Sequence, residues 1–84
     1  MFMKVVILED FNKFDDTLSV KYLPENNSED SGSIKISRDG TVLDSHKTNA
    51  DNNSTDAYFN IVKTHLSQMF TVDPLPYKSE IRFN

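Results

Sequence analysis

Asp56-Ala-Tyr-Phe-Asn-Ile-Val-Lys-Thr-His-Leu-Ser-Gln-Met-Phe70 decides how this chain folds. At about 100° per residue, Tyr58, Phe59, Ile61, Val62, His65, Leu66, Met69 and Phe70 fall within an arc of about 180°, and Asn60, Lys63, Thr64, Ser67 and Gln68 fill the other half. Such a segment is an amphipathic helix that needs an apolar surface to lie on. Asn53, Ser54 and Thr55 are candidate N-caps, and Asp56 suits the positive end of the helix. Pro74 and Pro76 forbid its continuation.

The surface it needs is written on either side of it as strands. After the prolines, Tyr77, Ser79, Ile81 and Phe83 alternate with Lys78, Glu80 and Arg82, the pattern of a half-buried strand. Before the helix, Ser33 to Ser37 and Thr41 to His46 flank Arg38-Asp39-Gly40, whose glycine supplies the positive φ that a tight hairpin requires. Leu18, Val20 and Tyr22 alternate with Ser19 and Lys21 in a further strand that ends at Pro24. Residues 3–8 form a compact run rich in Val and Ile, too short for an independent helix and apolar on both faces, as in a central strand.

The connections are polar. Glu9 to Asp16 keeps no period of two and reads as a wide turn, from which Phe11 and Phe14 would fold back over the core edge. Residues 24–32 are acidic and hold no large apolar side chain, so a mobile surface loop is expected there. Residues 47–54 form a second polar connection. The element order β-β-β-β-α-β makes residues 1–84 one α+β domain, a small antiparallel sheet with one helix packed on one face.

Composition bounds what so small a domain can do. Eighty-four residues leave no room for a second core, and a deep substrate cleft would compete with the first for side chains. With no Cys there is no thiolate metal site and no thiol nucleophile. Two Gly, eight residues apart, supply neither a phosphate loop nor a nucleophile elbow. The two histidines lack zinc-ligand spacing, and the oxygen-rich runs at Asp10–Asp16 and Asp51–Asp56 lack the glycine and the distal glutamate of a calcium loop.

His65 reads as a core histidine among Val62, Leu66 and Met69, and His46 with Asp44 as a surface pair. Asp15 and Asp16 read as turn carboxylates that diverge into solvent. No catalytic group, cofactor site or metal site is therefore expected, and the chain is not expected to be an enzyme. The apolar run of residues 5–8 is well short of a secretory segment or a membrane span, so the expected location is the cytoplasm.

What remains is a surface. If Leu18, Val20, Tyr22, Ile34, Ile36, Ile81 and Phe83 face the helix, with Tyr77 continuing that row, then Lys21, Lys35, Lys78 and Arg82 share the opposite face with Ser19, Ser33, Ser37 and Glu80. This face is expected to be cationic although the chain carries −4 overall. In the first strand, Met3, Val5 and Ile7 are expected to face the helix and Val6 and Leu8 to emerge on the open side, where something must cover them. The expected function is accordingly protein interaction, with another protein or a second copy of the chain, through Val6, Leu8, Lys21, Lys35, Lys78 and Arg82 on the open face or first strand. The alternative is anion or nucleic-acid binding by the four cations. It is disfavoured because no aromatic side chain is expected on that face for bases to stack on.

Overall fold

The computed structural model describes residues 3–84. Five antiparallel strands, β1 (Lys4–Phe14), β2 (Thr17–Pro24), β3 (Gly32–Ser37), β4 (Val42–His46) and β5 (Lys78–Phe83), form one sheet in the order β4-β3-β2-β1-β5. Between β4 and β5 lie a short helix α1 (Asn49–Asn52) and the longer α2 (Ala57–Ser67), which packs on β2 and β3. The architecture is thus α+β with the expected β-β-β-β-α-β order and one long helix on one face. The segment from α1 through α2 carries the chain from one edge of the sheet to the other, and β5 closes against β1.

The alternating strands behave as their patterns require. Leu18, Val20 and Tyr22 on β2 and Ile34 and Ile36 on β3 meet Tyr58, Phe59, Val62 and Leu66 of α2 in the core. Met69 and Phe70 lie beyond the last helical residue yet remain buried, held in tight turns by Met69 N–H to the Leu66 carbonyl and Val72 N–H to the Met69 carbonyl. The β3–β4 hairpin turns through Arg38-Asp39-Gly40, with Gly40 at φ 90°. Asp39 braces that turn by accepting from the Ser37 hydroxyl and the Thr41 N–H, which hold its carboxyl at about 2.

The first strand inverts the expected orientation. Val6 and Leu8 are fully buried and face α2, while Met3, Val5 and Ile7 lie on the open side. With apolar residues at both parities the run itself is neutral, and its neighbours decide. Leu8 is opposite Tyr22, Val6 opposite Ile81, and directly opposed residues share a face. Val6 is also opposite Pro24, which has no N–H to give and so fits the position where the two strands exchange no bonds.

Nor is the segment after Glu9 a wide turn. Strand β1 runs on to Phe14 through a bulge between Glu9 and Asn12, with Asp10 at φ 56°. The inserted residue breaks the period of two, which is why the alternation disappears from the sequence. Phe11 packs against the core as expected, whereas Phe14 is 73% exposed at the end of the strand. Tyr77 likewise precedes β5 and is 91% exposed, so it does not join the inward row of Ile81 and Phe83.

The two polar connections are tied to the fold by carboxylates. In residues 24–32, Asp30 accepts from the N–H groups of Asn49 and Ala50 at 2.8 and 3.0 Å, and Glu25 accepts from Tyr58 Oη at 2.5 Å. In residues 47–54, Thr48 and Asp51 form a reciprocal capping box around α1. The Asp51 carboxylate is fully buried: Oδ2 accepts from Tyr22 Oη at 2.5 Å, Thr48 Oγ1 at 2.9 Å and the Thr48 N–H at 3.2 Å. Its Oδ1 accepts from the Phe59 N–H at 2.7 Å. Asp51 therefore satisfies a first-turn donor of α2, in place of the expected caps Asn53, Ser54 and Thr55. The residue at the N-cap, Asp56, is in the left-handed region and makes no side-chain cap bond; its carboxylate meets Lys47 Nζ at 2.7 Å instead.

Leu8→Ala is expected to cost about 2–5 kcal/mol in a urea titration, as for a core leucine; a cost near zero would contradict the inverted orientation of β1. Asp51→Ala is expected to cost about 3 kcal/mol or more by the same measurement, because it strands the Tyr22 hydroxyl and the Phe59 N–H in the core. Retention of wild-type stability would show that the carboxylate is not the tie between sheet and helix.

Candidate functional site

The open face of the sheet can be read row by row from the strand register. Across one row lie Lys78, Glu9, Lys21, Ser33 and His46, because Glu9 is opposite both Lys78 and Lys21, and Ser33 opposite both Lys21 and His46. Lys35 is opposite Asp44 on β4. Arg82 Nε lies 2.5 Å from Glu80 Oε2 on the same strand. All four cations expected on this face are there, but each has a carboxylate as a strand neighbour or ion partner. The expected cationic stripe is thus a mosaic of alternating sign.

The carboxylate that interrupts it was hidden by the orientation of β1. Placing Val6 and Leu8 on the open face also places Glu9 on the helix side. With the parity reversed, Glu9 stands between Lys21 and Lys78 and separates them. Asp44 and His46 do share one side of β4, as their spacing implies, and Asp44 has Lys35 rather than the histidine as its directly opposed residue. His65 is half-buried on α2 rather than enclosed in the core.

One end of this face carries an apolar row in which Met3 is exposed, Val5 half-buried and Ile7 buried. Met3 just before β1, Val5 and Ile7 on β1, Glu80 and Arg82 on β5 and Asn26 beyond the end of β2 enclose a shallow groove of about 320 Å³. Its floor is apolar and one wall is the Arg82–Glu80 ion pair. Ile7 continues into Leu23, its opposite on β2, which is buried without joining the core under α2. Met3, at 60% exposed, is the open end of the groove.

One side chain links this groove to the helix. Glu25 Oε2 accepts from the Val5 N–H at 3.2 Å and from Tyr58 Oη at 2.5 Å, so the strand that floors the groove is connected to α2 through a single carboxylate. Tyr58 also packs edge-on against Phe83 of β5, with ring centroids 5.4 Å apart. Burial first, and then the Glu25 carboxylate, push the Tyr58 hydroxyl up to about 12. Burial and the Asp51 carboxylate also push up the Tyr22 hydroxyl.

Among the described residues no three His, Asp or Glu side chains are grouped to hold a metal ion. No helix among them is long and apolar enough to cross a membrane. Asp16 is exposed and engaged by Arg38 Nε at 3.1 Å, in keeping with a turn carboxylate.

Because the folded-state value of Tyr58 lies above its ordinary 10.0, the stability it contributes is present in full below pH 10 and is lost as pH rises through about 12. Tyr58→Phe is therefore expected to flatten the alkaline limb of a stability-against-pH curve followed by circular dichroism. A variant limb that superimposes on the wild type would show that this hydroxyl carries no such linkage. Comparison of the chain with protein-family models, with curated proteins and with solved structures gave no significant match, so the open face and its groove stand on their own geometry.

Proposed function

We propose that this chain is a small non-enzymatic module that works by contacting protein, and that the contact is made through the groove on the open face of β1 and β5. The observation that carries the reading is the row Met3, Val5 and Ile7, which lies on the side of the sheet away from α2 and is bordered by Arg82, Glu80 and Asn26. An apolar centre with a polar border is the anatomy of a protein interface. The groove is shallow and takes an inserted apolar side chain or a short extended segment. The contact surface is thus centred on Met3, Val5 and Ile7 with Arg82 at its border, and Val6 and Leu8 are core residues that leave it.

Anion or nucleic-acid binding has less support. Lys21, Lys35, Lys78 and Arg82 each have a carboxylate beside them, which lowers the local potential a phosphate would meet.

The test is a photoreactive amino acid placed at Met3 in the full chain, expressed in its native host. A discrete protein adduct is expected, and its mass identifies the partner, a second copy of the chain included. Val5→Glu in the same chain is expected to reduce the adduct by about tenfold, the loss of one well-packed apolar contact. The absence of any discrete adduct, or an adduct indifferent to Val5→Glu, would overturn the reading.

A further inference from the structure

The sheet ends in two edge strands that differ in kind. On β4 the pairing with β3 shifts between Lys35 and Ile36, leaving Leu43 as an extra residue, so that edge is bulged and makes a poor template for another strand. On β5 the register with β1 runs without interruption from Lys78 to Phe83, and among the described residues no strand lies beyond it.

The backbone groups that β5 turns outward follow from the bonds of β1. Val5 directs both of its groups toward the β2 side: its N–H donates to Glu25 Oε2, and its carbonyl accepts from the Glu25 N–H at 2.7 Å. Successive strand residues present N–H and C=O to alternate sides, so Val6 presents its pair to Ile81 of β5. Ser79, Ile81 and Phe83 are thereby committed to β1. Lys78, Glu80 and Arg82 direct their N–H and C=O groups away from the sheet.

We propose that this edge pairs with the same edge of a second copy of the chain, antiparallel about a two-fold axis at Ile81, so that Glu80 of each copy stands opposite Arg82 of the other. The charges and Pro76 together select this register. Centring the axis on Glu80 would oppose Glu80 to itself and Lys78 to Arg82, which is repulsive at every charged position. Centring it on Ser79 would bring Arg82 opposite Pro76, which has no N–H for the ladder. About Ile81, Glu80 and Arg82 of the two copies exchange backbone bonds through the groups that β5 turns outward. Their side chains, already an ion pair within one chain, form a four-charge cluster across the axis. Charges on an edge strand ordinarily discourage pairing; alternating in sign, these permit the pairing about Ile81 and penalise the one about Glu80, while Pro76 disfavours the one about Ser79.

The edge shares Glu80 and Arg82 with one wall of the groove, and Met3 on its floor separates the two surfaces. The experiment is sedimentation equilibrium of the full chain from micromolar to millimolar concentration, with E80R, R82E and an equimolar mixture of the two. Wild type is expected to dimerise, and each variant alone, with like charges opposed at both symmetric positions, is expected to dimerise about tenfold more weakly or worse. The mixture is expected to recover, because both arginines of the E80R chain then stand opposite glutamates of the R82E chain. Amide hydrogen exchange supplies a second readout: protection at Glu80 and Arg82 is expected to rise with concentration. M3E is expected to leave the dimer intact while abolishing any contact made through the groove. A wild type that stays monomeric throughout, a dimer indifferent to both reversals, or a mixture that fails to recover would overturn the proposal.

Discussion

A single carboxylate with no access to water joins the two layers of this protein. Asp51 accepts from the phenol of Tyr22 in the middle of the sheet, from Thr48 at the start of α1, and from the first turn of α2 at Phe59. A carboxyl group is tolerated in the core only where its oxygens are met by donors, and here each oxygen has at least one. The same condition acts in reverse. The Tyr22 hydroxyl and the Phe59 N–H would be orphaned without the carboxylate, so α2 is held at one position and one angle over β2 and β3. No buried side-chain nitrogen or oxygen among the described residues lacks a partner.

Gly32 shows how closely the sheet is built around that phenol. It is opposite Tyr22 on β3, and a methyl group there would lie 2.6 Å from the ring and 2.6 Å from the His46 carbonyl. The ring lies over bare backbone, and its hydroxyl is thereby delivered to Asp51. Two carboxylates of the β2–β3 connection extend the same device outward: Asp30 takes up the exposed N–H groups of α1, and Glu25 joins Tyr58 to the start of β1. In a domain with few apolar residues, acids ranging from the buried Asp51 to the exposed Glu25 carry part of the task of positioning. They are also part of the reason an acidic chain does not present a uniformly acidic surface.

Once α2 is fixed on β2 and β3, the opposite side of the sheet has no helix over it, and its character follows from the register. Opposed strands place Glu9 between Lys21 and Lys78, and Asp44 beside Lys35, so long-range charge cancels across that face. The local features that remain are an apolar row at one end and a β5 edge whose charges alternate in sign.

The amino-acid sequence by itself determined most of the elements; α1 and the second half of β1 read as connections. Period-two alternation marked β2, β3 and β5, the Asp39-Gly40 turn marked the hairpin and with it β4, and a two-sided arc marked α2, because each pattern states how its own residues can be placed. It left undetermined every feature that depends on what lies opposite. Val5, Val6, Ile7 and Leu8 are apolar at both parities, so only the neighbours Tyr22 and Ile81 decided that Val6 and Leu8 go inward. The bulge at Asp10 erased the alternation that would have revealed the second half of β1, and Tyr77 fell one residue outside the ladder into which its spacing fitted. In the sequence Asp51 stood out only as the first oxygen of an incomplete calcium-loop run, since a carboxylate becomes a core residue only when tertiary structure brings donors 29 residues and 8 residues away in the chain onto its oxygens. Local pattern is a property of consecutive residues, whereas register and polar satisfaction are properties of pairs, and pairs exist only after the chain has folded.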